Sequence, residues 1–186
     1  MPGQNPQTMA TFLVIISIAL WLAAMAALFL RPIAAPAASY AALLCLSFAS
    51  RDGIPLLPIG SNLLWGWLAI TVVVIMSMLM QTREMASERR GMGYMAGGAL
   101  TGLAVGLLGF TSAAGLGILY GIMVISVAAG VFLGFLLFTR TPRGRSLAPG
   151  SGHFFRYLLA KGFPAAITVM QAGIALVLTV ALHQML

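Results

Sequence analysis

Acidic side chains are almost missing from this chain: Asp52, Glu84 and Glu88 are the only three in 186 residues. All three fall in hydrophilic gaps between apolar runs. No apolar run therefore carries the ionisable groups that proton relays, ion-coupled transport or intramembrane proteolysis require at depth. Cysteine is represented by Cys45 alone, inside an apolar run, which excludes an intramolecular disulfide. The only histidines, His153 and His183, are far apart in the sequence and set in dissimilar surroundings, which gives no metal-ligand spacing. Neither the G-x-S-x-G elbow of hydrolases nor the H-E-x-x-H zinc motif occurs. The expectation is a non-enzymatic protein with no cofactor and no metal.

Charge of either sign is scarce. Hydrophobic residues make up 61% of the chain and charged ones 7%, against roughly 25% charged in a soluble domain. So few charges could not cover a water-facing surface, so lipid is the solvent for most side chains. Runs of about 20 apolar residues cross a hydrocarbon core about 30 Å thick, and several such runs are present. The net charge of +7 is held close to the apolar runs. It points to anionic lipid headgroups as counter-charge and not to nucleic acid.

The basic residues alternate. The gap after the first apolar run holds Arg31, the third gap Arg83, Arg89 and Arg90, and the fifth Arg140, Arg143, Arg145, Arg156 and Lys161. The second holds only Arg51 and the fourth none. Short loops rich in Lys and Arg stay on the cytoplasmic side. Alternation at every other gap predicts an all-α polytopic membrane protein with about six transmembrane helices and both termini outside. The expected helices span 9–30, 33–50, 63–80, 91–110, 116–138 and 164–182, all in one integral membrane domain covering 1–186. The N-terminal run lacks the basic n-region of a signal peptide and is expected to be a retained helix.

Local signals refine this. Ala19, Ala23 and Ala27 form a smooth stripe on the first helix. Arg31-Pro32 ends it, and a tight hairpin to helix two is expected, with Pro36 in the first turn of helix two. Gly53, Pro55, Pro58 and Gly60 exclude a continuous helix between helices two and three. Trp65 and Trp67 mark the headgroup level at the outer end of helix three. Phe154, Phe155, Leu158 and Leu159 share one face between Arg156 and Lys161. That pattern predicts a short interfacial helix over 153–161, ended by Gly162 and Pro164.

Two sets of residues carry the functional expectations. Gly98, Gly102 and Gly106, then Gly117 with Gly121, and Gly130 with Gly134, repeat at four-residue spacing. Glycine at that spacing lets helix backbones approach, so helices four and five are expected to form a glycine-zipper hairpin; a groove lined by glycine backbone is the alternative. Gln171 and Thr168 are polar groups within helix six, either an interhelical hydrogen bond or part of a polar path. Arg140, Arg143, Arg145, Arg156 and Lys161 are candidates for binding lipid headgroups.

The stretch Glu88-Arg-Arg-Gly91, followed by Gly98-Ala-Leu-Thr-Gly-Leu-Ala-Val-Gly106 and by Phe155-Arg-Tyr-Leu-Leu-Ala-Lys-Gly162, resembles an uncharacterised family of small bacterial glycine-zipper inner-membrane proteins, a domain of unknown function. The resemblance covers 81–182. It implies a helical hairpin architecture and the bacterial cytoplasmic membrane, and it brings no activity or site residues. The leading functional expectation is a structural, accessory or assembly protein that works through helix packing and cytoplasmic basic loops, with a membrane-protein partner or a second copy of itself. A small transporter or channel for a neutral solute is the alternative, and an anionic-lipid-binding protein a third.

Overall fold

A computed structural model describes residues 6–51, 54–55, 62–80, 90–110, 116–147 and 149–184. These residues are helical almost throughout. Helix α1 spans Pro6–Leu30, α2 Ala34–Phe48 and α3 Asn62–Leu79. Helix α4 spans Arg90–Phe110 and α5 Leu116–Thr139. A 3-10 turn at Arg145–Leu147 leads to α6, Phe154–Tyr157, a π turn at Leu158–Gly162 and α7, Phe163–Gln184. Between α2 and α3 stand two minimal strands, β1 (Ser50–Arg51) and β2 (Ile54–Pro55), paired antiparallel. Among the described residues, five helical stretches are long and apolar enough to cross a membrane, and α2, with 15 residues, is shorter. At 1.5 Å per residue α2 reaches about 22 Å, less than the hydrocarbon thickness of about 30 Å. The protein is a multi-pass helical membrane protein.

The α1–α2 hairpin turns tightly at Arg31 to Ile33, where the N–H groups of Ala34 and Ala35 donate to the carbonyls of Arg31 and Pro32. Pro36 is the third residue of α2, within the first turn, where N–H groups have no intrahelical acceptor and its missing donor costs nothing. The stripe that packs is not the one expected. Ala19 and Ala23 are exposed, while Ser17, Ala24 and Leu28 are buried against Ala35, Ala42 and Ala49 of α2 and its C-terminal end. The α1 row steps by seven and then four residues and the α2 row by seven, whole turns of helix, and the Ser17 hydroxyl donates to the Ala42 carbonyl at 2.9 Å. A hydroxyl with a partner across the interface selects this face over a purely alanine one.

Helix α3 turns Leu64, Trp67, Thr71, Val74 and Met78 inward at alternating three- and four-residue steps. Trp65 is exposed, as a headgroup anchor would be, but Trp67 is only 8% exposed and belongs to the core. Two residues apart on a helix lie on different faces, so one face could not hold both.

The segment 153–161 departs most from expectation. It is not a separate helix ended by Gly162 and Pro164, because α6, the π turn and α7 form one continuous helical run. Proline cannot donate to the carbonyl four residues back, and its ring would clash with it. Widening the preceding turn relieves both problems, and the Phe163 N–H accordingly reaches back five residues to the Leu158 carbonyl. The run is the central helix of the bundle: of the window within Phe154–Val177, 83% is buried. Phe155 and Leu159 face outward, whereas Phe154, Tyr157 and Ala160 face inward. Phe135 of α5 stacks on Tyr157, with centroids 5.5 Å apart, and packs against Phe154 at 4.9 Å.

Candidate functional site

Helices α4 and α5 make the most extensive contact in the molecule. They run antiparallel, and their close approaches step four residues forward on one helix and four back on the other. A methyl group built on Gly134 would fall on the Tyr94 carbonyl oxygen, one on Gly98 on that of Gly130, and one on Gly102 on that of Ser126. Only hydrogen fits at those three points, so the backbones meet directly. Gly106 continues the α4 row against Met123 and Ser126. On α5 the matching row is Ser126, Gly130 and Gly134. Gly121, expected in the crossing, has open space around its α-carbon, because it lies off the face that meets α4. The side-chain position of Gly117 lies outside the described residues.

Small residues at the crossing leave a notch along its outer side. An open groove of about 720 Å³ runs between α4 and α5, with Gly97, Thr101 and Val105 on one wall and Ala129, Leu133 and Leu137 on the other. All six residues are exposed on the outside of the bundle. Its threonine and serine hydroxyls are spent locally: Thr101 Oγ1 donates to the Gly97 carbonyl at 2.7 Å, and Ser126 Oγ to the Met123 carbonyl at 3.1 Å. Apart from Tyr94 at one end, what the groove presents outward is therefore mostly apolar. The opposite faces of the two helices, with Met95, Ala99, Met123, Val127, Val131 and Phe135, form the core.

Gln171 and Thr168 lie elsewhere, deep between α7, α2 and α3, and each is at most 1% exposed. Gln171 Nε2 donates to Thr71 Oγ1 at 2.8 Å. Thr71 Oγ1 itself donates to the Trp67 carbonyl at 2.7 Å. The Ser39 hydroxyl donates to the Thr168 carbonyl at 3.1 Å, which ties α2 to α7. Neither Gln171 nor Thr168 lines the groove. Thr71 and Ser39 had no distinguishing signal in the sequence. They stand 100 and 129 residues from their partners, and only the packing of three helices brings them together.

The basic candidates divide. Arg140, Arg143 and Arg145 follow α5 in an exposed turn, and Arg156 is exposed on α6. Thr141 holds that turn: its hydroxyl donates to the Phe138 carbonyl at 2.7 Å and accepts the Gly144 N–H at 3.2 Å. Rings of Tyr94, Phe138 and Tyr157 in contact bring the start of α4, the end of α5 and α6 to one end of the bundle, so the four arginines share that end. Lys161 does not join them. It is 2% exposed, inside the central helix, where the π turn rotates it inward. The acidic residues Asp52, Glu84 and Glu88 lie outside the described residues. Among the described residues no three His, Cys, Asp or Glu side chains gather closely enough to hold a metal ion.

Comparison of the chain with family models, curated proteins and solved structures returns no match.

Proposed function

We propose that this protein is a non-enzymatic structural, accessory or assembly component of a bacterial cytoplasmic membrane, and that it works by receiving a transmembrane helix of a partner in the α4–α5 groove. The observation that supports this reading is the groove itself: apolar, open on the lipid-facing side, and floored by glycine. In lipid, helices associate through close packing at small residues, because apolar side chains gain nothing by leaving lipid for one another. The floor already joins α4 to α5, and the walls at Gly97, Thr101 and Ala129 offer a second row of small residues outward. A third helix fits that row better than lipid tails, which conform to any surface. Transport of a neutral solute has weaker support, because the polar pair Gln171 and Thr168 is walled off from the groove by the packed core.

The test is photo-crosslinking in the native membrane. A photoreactive residue at Thr101 or Ala129 is expected to give a discrete protein adduct, and one at Ile18, on the exposed face of α1, none. Gly97→Leu fills the groove without touching the α4–α5 crossing, since a side chain there meets nothing within 4 Å. It should abolish the adduct while leaving the melting temperature unchanged. Adducts with lipid alone at Thr101 and Ala129 would overturn the partner reading in favour of lipid handling.

A further inference from the structure

The polar cluster around Gln171 contains atoms whose hydrogen bonding does not close. Thr71 has committed its hydroxyl hydrogen to the Trp67 carbonyl, so its oxygen can only accept. The Gln171 atom facing it must therefore be the amide nitrogen, which leaves Gln171 Oε1 as a buried acceptor. Among the described residues no donor reaches it, and Thr168 Oγ1 and Trp21 Nε1 are likewise buried without a partner. Thr168 and Gln171 are three residues apart on α7 and so share a face, one turn apart. Trp21 stands level with them. The Ser17 to Ala42 bond sets the α1–α2 register, which places Trp21, four residues on, beside Ser39, three residues back, and Ser39 is bonded to Thr168.

We infer that Thr168, Gln171 and Trp21 enclose a binding site for a single water molecule between α1, α2 and α7. The chemistry closes with one water. Its oxygen accepts from the Thr168 O–H and the Trp21 N–H, one of its hydrogens goes to Gln171 Oε1, and the other to the free lone pairs of Ser39 Oγ. A buried water characteristically makes about three such bonds to groups the protein leaves unpaired. One molecule with two donors and two acceptors is the smallest ligand that satisfies a set containing an amide oxygen, an indole N–H and a hydroxyl. The site would make the seam between the α1–α2 hairpin and the central helix a hydrated one, inside a bundle packed mostly with apolar side chains.

Water-edited solid-state NMR of the whole protein in lipid bilayers tests this, with the Gln side-chain amides and the Val and Ile methyls labelled. Magnetisation from water should build up at the Gln171 side chain several-fold faster than at the methyls of Val169 and Ile174, which are equally buried on the same helix. Thr168→Val and Trp21→Phe should each slow that build-up several-fold, and Thr168→Ser, which keeps the hydroxyl, should preserve it. Build-up at Gln171 as slow as at Val169 in the wild-type protein would overturn the site. An unchanged build-up in both Thr168→Val and Trp21→Phe would overturn it as well. If either variant fails to assemble, the wild-type comparison with Val169 and Ile174 decides alone.

Discussion

Gly102 shows how narrow the tolerance at one residue is. A side chain there meets the Ser126 carbonyl and the Val127 α-carbon, both backbone atoms that cannot swing aside. Gly102→Leu should therefore destabilise the protein by at least the roughly 1–3 kcal/mol typical of overpacking. Gly121→Leu, pointing into open space, should stay within about 0.5 kcal/mol of wild type. Thermal melting in detergent measures both, and equal melting temperatures for the two variants would show that the crossing is not as close as described. The four-residue spacing of glycines announced that some would meet a neighbouring backbone. It did not say which, because spacing defines a face and only the partner helix decides whether that face is used. Ser126 replaced Gly121 in the crossing for that reason.

The central helix carries the lesson at the scale of the element. Gly162 and Pro164 are helix-breaking residues in water, and the apolar pattern before them has the spacing of an amphipathic surface helix. In lipid, however, a broken helix leaves carbonyls with no water to accept from, and a single widened turn avoids that loss. The widened turn also rotates the residues within it, and Lys161 lies inside where the periodicity pointed it toward headgroups. A cysteine in place of Lys161 should react with a water-soluble thiol reagent at least ten-fold more slowly than one in place of Arg156, which is exposed. Comparable rates at the two positions would restore the surface-helix picture.

At the scale of the whole molecule the prediction concerns orientation. The alternation of Arg31, then Arg83, Arg89 and Arg90, then Arg140 to Lys161 predicts that those gaps face the cytoplasm. Single cysteines at Ser87 and Ser146 should be protected from an impermeant thiol reagent in intact cells, whereas those at Ser61 and Gln184 should label. Labelling of Ser87 from outside would reverse or break the proposed topology. The membrane class, the positions of the long helices before the central one and the α1–α2 turn were legible in the chain, because they depend on hydropathy and on local backbone chemistry that each segment carries by itself. The groove between α4 and α5, the inward turn of Lys161 and the meeting of Ser39, Thr71, Thr168 and Gln171 were decided by tertiary structure alone. In a bundle where nearly every helix is apolar on all sides, sequence cannot say which face will be covered; that choice belongs to the neighbours, through small residues that let backbones touch and polar groups that must find partners away from water.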